Sequence, residues 1–270
     1  MTRPHIITPD GCRLEYEVEG EGRPVLWQHG LGAPLGQPAA VFPKECGLMR
    51  VTLACRGHES SELGDPAKLS IATFADDCLA LLDHLGIERA VAGGISLGAG
   101  LALRLAALHP GRLSKLVVAR PAWVDRPSLQ TQSIYLEVAE AIRTFGLEAG
   151  RMHLQALAAF QALRAASPDN AASALSYFSR PRPETTVALL SAIATGYPGV
   201  SASEISAIRT PTLVIANGED IVHPLNYAQS LSRLLPHARL EIITSKTMDP
   251  LAYEQEFRSA LFHFLAEGNA

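Results

Sequence analysis

The chain has 270 residues, 47% of them hydrophobic, and a formal net charge of −4. That length supports one large core, or a core plus a smaller unit. No basic block and no bilayer-length apolar run occurs, which argues against nucleic-acid and membrane partners.

The N-terminal stretch Met1-Thr2-Arg3-Pro4-His5 lacks the apolar run of a signal peptide, so a cytoplasmic protein is expected. Ile6 to Pro9 and Arg13 to Glu19 flank Asp10-Gly11, a two-residue hairpin signal. Leu14, Tyr16 and Val18 alternate with Arg13, Glu15, Glu17 and Glu19, as in an antiparallel edge strand with one wet face. Pro24 to Gln28 is a short apolar strand that ends in His29-Gly30-Leu31-Gly32, and a helix is predicted over Gln37 to Cys46. Arg50 to Cys55 is the next strand, followed by Arg56-Gly57-His58. Ser70 to Leu85 reads as a helix capped by Ser70, with Phe74, Cys78, Leu81, Leu82 and Leu85 at helical spacing and Gly86 as its stop. The cysteines Cys12, Cys46, Cys55 and Cys78 show no metal-type pairing and read as reduced, packed thiols.

Arg89 to Gly93 is a buried-strand pattern, and Ala99 to His109 is an Ala- and Leu-rich helix. Between them stands Gly94-Ile95-Ser96-Leu97-Gly98. Strand, Gly-x-Ser-x-Gly, helix is the context of a nucleophile elbow. The turn strains the Ser backbone, and glycines on both flanks relieve the crowding. The Ser hydroxyl is then lifted to the carboxyl edge of a sheet, at the positive end of a helix.

Leu113 to Ala119 is a further apolar strand. From 121 to 200 strand signals vanish, and helices are predicted over Ser133 to Phe145, Met152 to Ala165, Ala171 to Phe178 and Glu184 to Thr195. This block reads as a helical cap inserted into a core formed by 1–120 and 201–270. Thr212 to Ala216 resumes the strand pattern and ends in Asn217-Gly218-Glu219-Asp220. Asn226 to Leu235 is a helix, Arg239 to Thr244 the last strand and Leu251 to Leu265 the last helix. Strands alternating with helices specify an α/β fold with right-handed crossovers and a mostly parallel sheet. Ligands in such sheets sit beyond the carboxyl ends of the strands, where His29-Gly30-Leu31, Arg56, Ser96 and Arg120 would gather.

Over essentially its whole length the chain resembles the α/β-hydrolase superfamily. The resemblance rests on His29-Gly30, Arg56-Gly57-His58, the Ser96 elbow and Gly218-Glu219-Asp220, in that order. It implies an eight-stranded sheet under a helical cap, with a Ser–acid–His triad. Ser96 would attack an acyl carbon, and Asp220 would orient and charge-balance the imidazole. The backbone N–H groups of Leu97 and Leu31 would form the oxyanion hole. His29 would shape the oxyanion turn, and Arg56 and His58 would brace loops. The plainer role for Asp220 is to cap the helix that begins near Pro224.

In one respect the chain departs from that pattern. The family's base follows the last strand, yet Thr244-Ser245-Lys246-Thr247-Met248-Asp249-Pro250 contains no histidine, and His263 lies far along the last helix. Three explanations compete. His223, three residues after Asp220, is the base; or His153 or Lys246 substitutes for it; or the protein is catalytically weak or uses the elbow for another chemistry. Arg120 would clamp a substrate carboxylate, or pair with Asp125 or a cap carboxylate. Trp123 beside it would wall the pocket, or simply join cap to core.

The sequence therefore predicts a serine hydrolase of the carboxylesterase or lactonase type, acting on a small, largely apolar ester, without metal or organic cofactor. The alternatives are an impaired binding or regulatory protein and a non-hydrolytic lyase on the same scaffold. The expected partner is a small-molecule substrate, and a homodimer is compatible with the sequence.

Overall fold

The computed structural model describes residues 3–43 and 47–267. The first half of the chain forms β1 (His5–Ile7), β2 (Arg13–Glu19), β3 (Arg23–Gln28), α1 (Gly36–Val41), β4 (Leu48–Leu53), α2 (Ile71–His84), β5 (Ala90–Ile95), α3 (Leu97–Leu108) and β6 (Leu113–Ala119). Five helices follow: α4 (Leu129–Ala156), α5 (Ala158–Ala166), α6 (Pro168–Ser176), α7 (Pro183–Ala194) and α8 (Ala202–Ala207). The chain then closes with β7 (Thr212–Asn217), α9 (Leu225–Leu234), β8 (Ala238–Ile243) and α10 (Pro250–Ala266).

The eight strands make one sheet in the order β1-β2-β4-β3-β5-β6-β7-β8. β1 and β2 pair antiparallel, and every pair from β4 to β8 is parallel. The inner strands β5 and β7 are buried on both faces, as their unbroken apolar runs require. One face packs on α2 and α3 through Phe74, Leu81, Leu101 and Leu105. The other packs on α10, where Trp27 meets Phe257 with ring centroids 6.2 Å apart. The helices between β6 and β7 hold an apolar cluster of their own, including Val138, Leu154, Phe160 and Leu190.

Three local differences from the sequence expectations have simple causes. The helix predicted over Gln37 to Cys46 ends at Val41, because Pro43 drives Phe42 into an extended conformation; residues 44–46 lie outside the described residues. The helix predicted over Met152 to Ala165 is broken at Leu157, whose backbone is extended, and Gly146 at φ 74° kinks α4. α8 has no counterpart among the predicted elements; Ser201 and Glu204 start it with a capping box. The described cysteines, Cys12, Cys55 and Cys78, are free and buried. Among the described residues no helix is long and apolar enough to cross a membrane.

Candidate active site

Ser96 sits between β5 and α3 with φ 57° and ψ −108°, a strained conformation for a residue with a side chain. Its N–H is tied to the Ala119 carbonyl at 3.0 Å. The flanking glycines are dictated by contact: a Cβ on Gly94 would lie 2.5 Å, and on Gly98 2.4 Å, from the Gln28 carbonyl oxygen. Any side chain there would push the elbow off the neighbouring strand.

Arg120 and Glu219 are also non-glycine residues at positive φ, 47° and 48°. Like Ser96, each follows a strand at the carboxyl edge of the sheet. Strain of this kind persists only where surrounding contacts over-determine the backbone.

His223 Nε2 lies 2.8 Å from Ser96 Oγ. Its Nδ1 lies 2.9 Å and 3.1 Å from the two carboxylate oxygens of Asp220. Asp220 Oδ1 also accepts the His223 backbone N–H at 3.0 Å. One carboxylate thus closes the loop turn and holds the ring; it does not cap α9, whose N-cap Pro224 has no side-chain cap bond, so the helix-cap reading of Asp220 is not met. The Asp220 contact places the proton on Nδ1 and leaves Nε2 to accept the hydroxyl proton. Burial opposes the Asp220 charge, but His223 and Arg120 outweigh it and hold its pKa well below the usual carboxylate range.

The turn after β3 leaves one backbone donor free. The Gly30 N–H donates to Gln37 Oε1 at 2.7 Å, and the Gly32 N–H donates to His58 Nε2 at 2.8 Å. The Leu31 N–H between them has no acceptor among the described residues. The Leu97 N–H opens α3 and has no intrahelical acceptor. His29 and His58 are fully buried braces, each donating from Nδ1 to a backbone carbonyl and accepting a backbone N–H at Nε2. Burial depresses both, His29 to about 4. Arg56 donates to Asp77 and Asp10, bracing the loop after β4.

The remaining sequence candidates are sorted by position. Arg120 does not clamp a free carboxylate: Nε donates to Asp220 at 2.7 Å and Nη2 to Asp169 of α6 at 2.9 Å. Asp125 pairs with its neighbour Arg126 instead. Burial would lower the Arg120 pKa, but the two carboxylates drive it upward. Trp123 is buried against Gly100 of α3 and lies outside the hollow beside Ser96. That corrects the pocket-wall reading; the indole serves packing. His153 is exposed and faces the Phe145 ring, away from the hollow. Lys246 does reach the hollow, where its Nζ lies 3.6 Å from Asp169 Oδ1.

That hollow measures about 450 Å³ and opens onto Ser96, His223 and Leu31. Gln37, Tyr135, Asn170, Ser173, Ser176 and Lys246 supply much of its wall. Such a lining is more polar than the Ala- and Leu-rich composition of the insertion suggests. The apolar residues of α4 to α7 turn toward one another instead. Among the described residues no cluster of three or more His, Cys, Asp or Glu side chains is placed to hold a metal ion.

The chain matches the family described as alpha/beta hydrolase fold over residues 24–246. It belongs to the α/β-hydrolase fold family. Within that family it is 28% identical to 2-hydroxymuconate semialdehyde hydrolase of Pseudomonas putida, over 98% of this chain and 94% of that one. It is 34% identical to the putative carbamate hydrolase RutD of Pseudomonas syringae pv. syringae, over 73% of this chain and 76% of that one. Among solved structures, the enol-lactonase of Burkholderia xenovorans superposes with a TM-score of 0.75 at 22% identity, covering 98% of this chain and all of the other. At that identity the likeness speaks for the fold.

Proposed function

We propose that this α/β-hydrolase-fold protein is a serine hydrolase that cleaves a small carboxylic ester or lactone by acyl transfer through Ser96. The observation that carries the reading is the 2.8 Å contact between His223 Nε2 and Ser96 Oγ, backed by Asp220 at 2.9 Å. Free alcohols are poor nucleophiles and need a base within hydrogen-bond reach. As Ser96 Oγ bonds to the acyl carbon, His223 takes its proton. The resulting imidazolium is balanced by Asp220, and the oxyanion is received by the N–H groups of Leu31 and Leu97. Losing one such donor typically costs about 3 kcal/mol of transition-state stabilisation. When the tetrahedral adduct collapses, His223 passes the proton to the departing alcohol. Water, deprotonated by the same imidazole, then releases the acid and restores Ser96.

The mixed lining of the hollow favours a substrate with polar groups beyond the ester itself, rather than a largely apolar one. Relatives named as hydrolases, and a structural neighbour named as an enol-lactonase, are in keeping with this. The regulatory alternative drew its force from the missing histidine after the last strand. With His223 against Ser96, no specific observation favours it.

The test is hydrolysis of p-nitrophenyl acetate by the purified protein beside Ser96→Ala. A wild-type rate well above that of the variant is expected; equal rates overturn the reading.

A further inference from the structure

Ser167 occupies the N-cap position of α6, where a serine ordinarily accepts a hydrogen bond from its own helix. Here it makes no such bond; its Oγ donates to the Glu219 carbonyl at 2.6 Å. Forgoing a serine cap destabilises a helix start. What the hydroxyl holds instead is the residue before Asp220, at positive φ.

The next residues of α6 continue along the same loop. Asn170 is buried, and its Oδ1 accepts the N–H of Ile221 at 2.9 Å and of Val222 at 3.0 Å. Asp169 holds Arg120, which holds Asp220. From α4, Gln132 Nε2 donates to the Val222 carbonyl at 3.2 Å. Backbone polar groups at 219, 221 and 222 are therefore satisfied by the helices between β6 and β7.

We infer that the start of α6, centred on Asn170, is the positioning element for the loop that carries both Asp220 and His223. The inserted helices do more than cover the hollow; they hold the acid and the base against Ser96. The inference rests on the catalytic reading above. In the usual family arrangement the base sits after the last strand, away from the acid. Here both ride on one loop, so one set of contacts aligns both. Helices that swung clear would leave the Ile221 N–H and the buried Val222 N–H without their acceptor and release the imidazole, so turnover requires them seated.

The test compares Asn170→Ala, Asn170→Asp and Ser167→Ala in p-nitrophenyl acetate hydrolysis, with Ser96→Ala as baseline. Asn170→Ala is expected to lower kcat by about tenfold or more while KM stays within about threefold, since the loss falls on the reacting geometry. Asn170→Asp keeps an acceptor oxygen for both N–H groups and recovers most of kcat. Ser167→Ala, a smaller lesion, lowers kcat severalfold and serves if Asn170→Ala does not fold. Amide hydrogen exchange gives a readout independent of turnover: Ile221 and Val222 lose about tenfold or more of their protection in Asn170→Ala, because their acceptor is gone. Wild-type kcat in both alanine variants, a loss confined to KM, no recovery with Asp, or unchanged protection overturns the inference. A wild type no faster than Ser96→Ala overturns the catalytic reading instead, and the exchange result still decides the positioning role.

Discussion

Asp220 and His223 stand three residues apart, and one carboxylate oxygen of Asp220 accepts both the backbone N–H and the ring N–H of His223. The short span makes the carboxylate and the imidazole a single local unit. His223 is the imidazole beside the Ser96 hydroxyl, whereas His153 faces Phe145 and Lys246 faces Asp169. His223→Ala should therefore lower kcat for ester hydrolysis by about a thousandfold or more. His153→Ala should leave it unchanged. Lys246→Ala should alter KM more than kcat. Steady-state kinetics of the three variants check the assignment.

Arg120 is locked between Asp220 and Asp169, and its side chain is 11% exposed. Replacing it with Met leaves two carboxylates without their shared cation. Breaking a buried pair in this way typically costs about 3–5 kcal/mol. Lys246→Met removes a pair at 3.6 Å whose lysine is 45% exposed, which is worth under about 1 kcal/mol. Urea unfolding of the two variants should separate them clearly.

Gly98 has no room for a methyl group, because the obstacle is the Gln28 carbonyl and not a mobile side chain. Gly98→Ala should destabilise the protein by about 1–3 kcal/mol and slow turnover, since it displaces the helix that presents the Leu97 N–H. Gly111→Ala meets nothing within 4 Å and should stay within about 0.5 kcal/mol of wild type. Thermal unfolding of both variants, with the ester assay, measures the contrast.

His29 and His58 are buried neutral, with Nε2 of each accepting a backbone N–H. Protonation would set an N–H against an N–H. The His29 pKa is lowered to about 4, so between roughly pH 6.5 and 4 the unfolded chain binds a proton that the folded chain refuses. Stability from this source is intact above that window and is lost as pH falls through it, by an amount on the order of 3 kcal/mol. His58 acts with the same sign. Urea midpoints should fall across the window, with a shallower slope in His29→Gln.

The elbow was legible because it is local: strand, five residues and helix are consecutive. The Ser70 cap is local in the same sense. What the sequence left open were relations through space. His223 leads the sequence candidates for the base, with His153 and Lys246 as substitutes, because nothing local reveals which side chain faces Ser96. For Arg120 the sequence offers Asp125 or a carboxylate of the helical block without choosing between them; the partners are Asp169 of that block and Asp220, 49 and 100 positions away. The polar hollow was hidden because composition reports what the helices contain and not which face they turn inward. The capping box of α8, Ser201 with Glu204, was a local signal that sequence reading missed.

The central claim is that Ser96 is a nucleophile activated by His223. Mass spectrometry after treatment with a fluorophosphonate probe tests it most directly. Wild-type protein should gain one phosphonyl group, mapped to Ser96, with labelling in His223→Ala slowed by about a hundredfold or more. An unlabelled Ser96, or equal labelling rates in the two proteins, would contradict it.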